Sequence, residues 1–122
     1  MNDKINNEQL LGAIIEAIEN VKGQDITVID LRNIESAITD YFIICNGNSN
    51  TQVVAIANSI EKTLRNNLKV RPWHTEGLQN ALWVLVDYVD VVVHIFQKEV
   101  REYYDLEGLW GDAKITTIEN KN

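Results

Sequence analysis

One cysteine, one proline and two histidines are all that these 122 residues contain of those types. No apolar run approaches the roughly 20 residues of a membrane span. With Cys45 alone, an internal disulfide framework is excluded. His74 and His94 have no motif-like spacing, so the sequence gives no zinc or other metal site. Basic charge is also scarce: eleven Lys and Arg stand against eighteen Asp and Glu, and 11 − 18 = −7 at neutral pH. Neutralising phosphates needs clustered cations, so the overall balance predicts little direct nucleic-acid binding. It suits a basic protein partner, although the same charge also serves plain solubility. Met1-Asn2-Asp3-Lys4-Ile5-Asn6 carries no signal-peptide pattern, which predicts a cytoplasmic protein without a membrane partner.

What the chain does have is Leu82 to Phe96, two β-branched apolar runs broken once at Asp87-Tyr88-Val89-Asp90. Each run is of strand length, and the break is too short for a crossover, so the pair predicts a central antiparallel hairpin. A two-residue Tyr88-Val89 turn requires positive φ at a β-branched valine. The expectation is therefore a four-residue loop opened and closed by the two aspartates.

Around this hairpin the order reads α-β-β-α-β-β-β-α. A helix from about Asn6 to Val21 places Leu10 or Leu11, Ile14, Ala17 or Ile18, and Val21 on one side, and Lys22-Gly23 stops it. Strands follow over Gln24 to Leu31 and Tyr41 to Cys45. Ser49 and Gln52 match a capping box for a second helix with Val53, Ile56, Ala57, Ile60 and Leu64 on its inner stripe, ending near Asn66-Asn67. Val70-Arg71-Pro72-Trp73 reads as a short edge strand because proline cannot donate to a ladder. A last helix runs from Gln97 to Glu107. The fold class is α/β, α+β mixed: one domain over residues 1–112 with a five-stranded mixed sheet and flanking helices, then a polar tail over 113–122.

Chemistry-bearing candidates are thin. Asp87 and Asp90 could hold Mg²⁺ while Gly47-Asn48-Ser49 at a helix start binds a phosphate, which sketches a metal-dependent nucleotidyltransferase. That sketch lacks a cation in the glycine turn, and aspartates at a hairpin turn are ordinary turn residues. Cys45 precedes a helix N-terminus, yet most such cysteines are small core hydrophobes. His94, late in an apolar strand, reads as a core histidine. Core packing is the default for Trp73, Trp83 and Trp110, although a tryptophan on a strand can anchor an interface.

Several motifs in order give a resemblance. Lys22-Gly23-Gln24-Asp25-Ile26, then Thr39-Asp40-Tyr41-Phe42-Ile43-Ile44-Cys45-Asn46-Gly47-Asn48-Ser49, resemble the ribosomal silencing factors, also called Iojap-like proteins. So do Trp83 to Asp87, Asp90 to Phe96, and Arg101, Tyr104, Leu106-Glu107 and Leu109-Trp110. One departure is Val89, where many members carry glycine. The resemblance covers about Ala17 to Ala113. It implies a nucleotidyltransferase-like fold without enzyme activity or cofactor. It also implies binding to the large ribosomal subunit through ribosomal protein uL14, steric blocking of small-subunit association, repression of translation under nutrient limitation, and a homodimer when free. On this basis the expected partner contacts are Trp83, Leu85, Asp87, Tyr88, Asp90 and His94, with Glu76 and Arg101 as a polar rim. Trp83, Leu85 and Asp87 share a face by strand alternation.

Overall fold

Asn6 opens the first helix. Its side-chain oxygen accepts from the Gln9 amide at 2.8 Å, and the Gln9 side chain accepts from the Asn6 amide at 3.1 Å. This reciprocal cap starts α1 (Asn7–Asn20), which buries Leu10, Ile14, Ala17 and Ile18. The computed structural model describes residues 5–119. α1 is capped at Val21, and in the turn that follows a Cβ on Gly23 would stand 2.4 Å from Ile18 Cγ2, so no larger residue fits there unchanged.

The chain continues as β1 (Gln24–Asp30), β2 (Tyr41–Gly47), α2 (Asn50–Leu68), β3 (His74–Glu76), β4 (Trp83–Asp87), β5 (Val91–Gln97), α3 (Lys98–Tyr104), α4 (Leu106–Leu109) and β6 (Lys114–Thr117). The sheet order is β3-β4-β5-β2-β1-β6, antiparallel throughout except for the central β5/β2 pair. The architecture is the expected mixed α/β domain, with six strands instead of five. The sixth comes from the stretch assigned to a polar tail: Lys114–Thr117 lies antiparallel on β1, every residue exposed, as a polar edge strand requires. Residues 120–122 of that stretch lie outside the described residues.

Three local expectations are corrected. The short edge strand is His74–Glu76, just past Pro72. The last helix breaks at Asp105, where φ is +48°, into α3 and α4. The capping box of α2 is half formed. Ser49 Oγ accepts from the Gln52 amide at 3.1 Å, but the Gln52 side chain serves Asn48 N and Lys22 O instead.

Register assigns the two faces of the sheet. Ile26, Tyr41, Ile43, Cys45, Val84, Val86, Val91, Val93 and Ile95 belong to the core that α1 and α2 close. The inner stripe of α2 is buried as its spacing predicts. The opposite face carries a smaller cluster, Ile29, Leu31, Ile44, Phe96 and Leu106, roofed by α3, α4 and Trp110. Of β4 that roof reaches Trp83, whose ring stands 4.8 Å from that of Tyr104, while Leu85, Asp87 and β3 stay at least partly exposed. Fully burying one such aliphatic or aromatic side chain contributes about 1.5–3 kcal/mol, which explains why β2 and β5, covered on both faces, are apolar almost throughout.

Candidate functional site

Cross-strand pairing puts Trp83 opposite Phe96, Leu85 opposite His94 and Asp87 opposite Val92; on β3, Glu76 pairs with Leu85 and His74 with Asp87. Partners in register share a face, so these side chains lie on one face of the sheet, with Trp83 and Phe96 under α3 and Leu85, Asp87, His74 and Glu76 further towards the hairpin tip and β3. Trp83, Leu85 and Asp87 are each half-buried, and His74 and Glu76 are exposed, their side chains 2.7 Å apart. The expected grouping of Trp83, Leu85, Asp87 and Glu76 is therefore present.

Towards the hairpin tip the open face deepens into a groove of about 330 Å³, lined by Ile38, Thr39, Trp73, Asp87, Val89 and Val92. Ile38 is 99% exposed, Trp73 75% and Val89 58%. Apolar side chains this exposed, lining one groove, form an unusual patch on a small domain. Sequence reading missed Ile38 and Trp73. The signal was a second isoleucine, after Ile34, inside the otherwise polar Arg32–Asp40 connection and a tryptophan placed by proline just outside a strand. At the other end, Leu82, Trp83, Val100, Tyr103 and Tyr104 line a second apolar groove of about 350 Å³ with Glu99.

The hairpin turn is tighter than the four-residue loop. Asp90 N donates to Tyr88 O at 2.9 Å, and Val89 between them has φ +74°. This is a γ-turn, and the positive φ falls on the valine after all. Asp87 Oδ1 accepts from Val89 N at 2.7 Å, Thr39 Oγ1 donates to Val89 O at 2.8 Å, and Asp90 O accepts from Asp40 N and Tyr41 N at 3.1 Å each. The surrounding bonds hold the strained residue in place.

Three of the expected contact residues, Tyr88, His94 and Arg101, are buried. Tyr88 turns to the α1/α2 face and is only 7% exposed, because alternation carries past Asp87. His94 is on the right face but is buried beneath Trp83, whose Nε1 donates to its Nδ1 at 3.0 Å. Arg101 is no rim residue. Its guanidinium is buried and donates to Asp25 O (2.6 Å), Asn46 Oδ1 (2.7 Å), Thr27 Oγ1 (3.0 Å) and Glu107 Oε2 (2.7 Å). A planar fork with five donors suits such a junction, which ties α3 and α4 to the ends of β1 and β2. Asp90 remains exposed at the turn.

The nucleotidyltransferase sketch does not assemble. Gly47 pairs with Gln97 at the far end of β5, whereas Asp87 and Asp90 flank its start, roughly 20 Å away along seven strand residues. Among the described residues no group of three or more His, Cys, Asp or Glu is placed to hold a metal ion. Cys45 is fully buried, and burial pushes its thiol up to about 12, so the thiolate needed for nucleophilic work is not formed at neutral pH. Among the described residues no helix is long and apolar enough to cross a membrane.

A family model described as ribosomal silencing factor during starvation matches residues 4–122. The chain is 40% identical over 116 residues to the ribosomal silencing factor RsfS of Halalkalibacterium halodurans, covering 94% of this chain and 97% of that one. It is 42% identical over 116 residues to the protein of the same name in Bacillus subtilis, covering 94% and 96%. A crystal structure of a Chromobacterium violaceum protein superposes with a TM-score of 0.83 at 37% identity, covering 97% of this chain and 98% of that one.

Proposed function

The chain belongs to the ribosomal silencing factor family, and from that premise we propose that it binds the large ribosomal subunit through ribosomal protein uL14 and blocks docking of the small subunit. Translation is thereby repressed when nutrients are short. The reading is that of an obstruction: no bond is made or broken, and no cofactor takes part. One observation carries it, the unroofed half of the sheet, where Leu85 and the groove of Ile38, Trp73 and Val89 lie beside Asp87, Asp90 and Glu76. An apolar centre with an acidic rim matches a basic ribosomal protein, because complementary charge speeds encounter and selects partners while buried apolar anchors supply affinity. When free, the chain pairs with a second copy, a reading supported by the apolar area at Leu82, Tyr103 and Leu109.

Sucrose-gradient sedimentation with purified subunits tests the reading. The protein should travel with large subunits and reduce their joining to small ones. Leu85→Arg, which places an unpaired cation in the apolar centre facing a basic partner, should lose both effects while keeping the melting temperature. If wild-type protein stays at the top of the gradient and joining proceeds unchanged, the reading fails.

A further inference from the structure

The acidic net charge conceals an uneven distribution. Lys62, Arg65, Lys69 and Arg71 fall within ten residues, and no carboxylate occurs between Glu61 and Glu76. That segment carries four positive charges, so the rest of the chain carries −7 − 4 = −11. All four side chains are exposed. Lys62 and Arg65 are three residues apart in α2 and so share one face; Lys69 is its C-cap and Arg71 follows in the extended segment. Among the described residues the ion pairs are Asp30–Arg32, His74–Glu76 and Arg101–Glu107, and none uses these cations.

A helix C-terminus favours positive side chains, and Lys69 Nζ does donate to Asn66 O at 3.2 Å. That accounts for Arg65 and Lys69. It does not account for Arg71 beyond the helix. Nor does it explain why a lysine occupies the left-handed cap position, φ +59°, where glycine or asparagine fits without strain. The position of the cluster adds a second observation. Pro72 leads directly to Trp73, whose amide donates to Asp87 O at 2.8 Å and whose ring lines the hairpin-tip groove. Arg71 is thus two residues along the chain from a lining residue of the surface proposed to take a ribosomal protein, and such proteins sit embedded in RNA.

We propose that Lys62, Arg65, Lys69 and Arg71 form a contact for the RNA phosphate backbone beside the protein that fills the groove. This rests on the ribosome-binding reading and gives that surface a second, chemically distinct half. The sequence expectation of little nucleic-acid binding averaged charge over the whole chain. Phosphates respond to the local cluster.

The test replaces all four residues with glutamine and measures affinity for purified large subunits across a salt series. Each phosphate neutralised contributes roughly 0.7–0.9 to the slope of log affinity against log salt, so the variant's slope should be shallower by about 3. Its affinity at low salt should fall at least tenfold. A benzophenone side chain at position 71 should crosslink to RNA, giving an adduct that ribonuclease shortens. An unchanged slope, or an adduct containing only protein, overturns the inference. If wild-type protein does not bind subunits at all, the ribosome reading fails first, and filter binding to protein-free large-subunit RNA decides this one. Retention lost in the variant supports it; equal or absent retention sinks it. Should the fourfold variant melt early, Lys62→Gln with Arg71→Gln should give half the change in slope.

Discussion

Trp83 donates its indole N–H to Nδ1 of His94 across 3.0 Å, so the proton of the neutral imidazole resides on Nε2. Burial holds this histidine's pKa down at about 4, below its ordinary 6.5. The unfolded chain therefore binds a proton that the native state refuses throughout pH 4 to 6.5. Stability from this site is fully present above pH 6.5 and is lost as pH falls towards 4. Between pH 8 and pH 5 the loss should be about 2 kcal/mol, seen as a lower urea midpoint. In His94→Gln, whose amide oxygen can still accept from Trp83, that slope should flatten. An equal slope in both proteins would assign it to other groups.

Val89→Gly should stabilise the protein. The valine has φ +74°, a region costly to a β-branched side chain, and at 58% exposure it gives up little burial. Relief of that strain should exceed the added unfolded-state freedom of glycine by about 1 kcal/mol, raising the melting temperature by roughly 4 °C. A lower melting temperature would show that the turn is relaxed as it stands.

Periodicity made the fold legible wherever one face of an element is buried. The stripe from Val53 to Leu64 and the apolar runs of β2, β4 and β5 were readable because burial imposes a repeat of 3.6 or 2 on the residue types. β6 was not readable: all four residues are exposed, so nothing in Lys114–Thr117 distinguishes an edge strand from a tail. At the site, alternation correctly grouped Trp83, Leu85 and Asp87. It said nothing of Ile38 and Trp73, which reach the same groove from loops distant in sequence. Arg101 was misread because a charged residue on a short helix looks exposed until its acceptors arrive from β1 and β2.

Those acceptors make Arg101 the polar junction of the roof. Arg101→Met leaves Asn46 Oδ1, Thr27 Oγ1, Asp25 O and the Glu107 carboxylate without their shared donor. Removing one member of a buried charge pair costs about 3–5 kcal/mol, so the urea midpoint should fall sharply. Arg101→Lys should recover only part, because an ammonium cannot reproduce the planar fork. A loss under about 1 kcal/mol for the methionine variant would mean that water replaces the guanidinium without penalty.

The two tryptophans at the open face should separate stability from binding. Trp83 has ring centroids 4.8 Å from both Phe96 and Tyr104 and bonds to His94. Truncating it removes contacts on three sides and leaves a buried histidine nitrogen without its donor. Trp83→Ala should therefore cost about 3 kcal/mol of folding stability, and any loss of subunit binding will be mixed with that defect. Trp73 is 75% exposed, and its aromatic neighbour is His74, edge-on at 5.9 Å. Trp73→Ala should leave stability within about 0.5 kcal/mol of wild type. Its affinity for the large subunit should nonetheless fall by about 2 kcal/mol, roughly thirtyfold, because a partner buries what the free protein exposes. Sedimentation and urea titration of both variants side by side decide the matter. If Trp73→Ala binds like wild type while folded Trp83→Ala does not, the anchor is the strand residue and the hairpin-tip groove is peripheral.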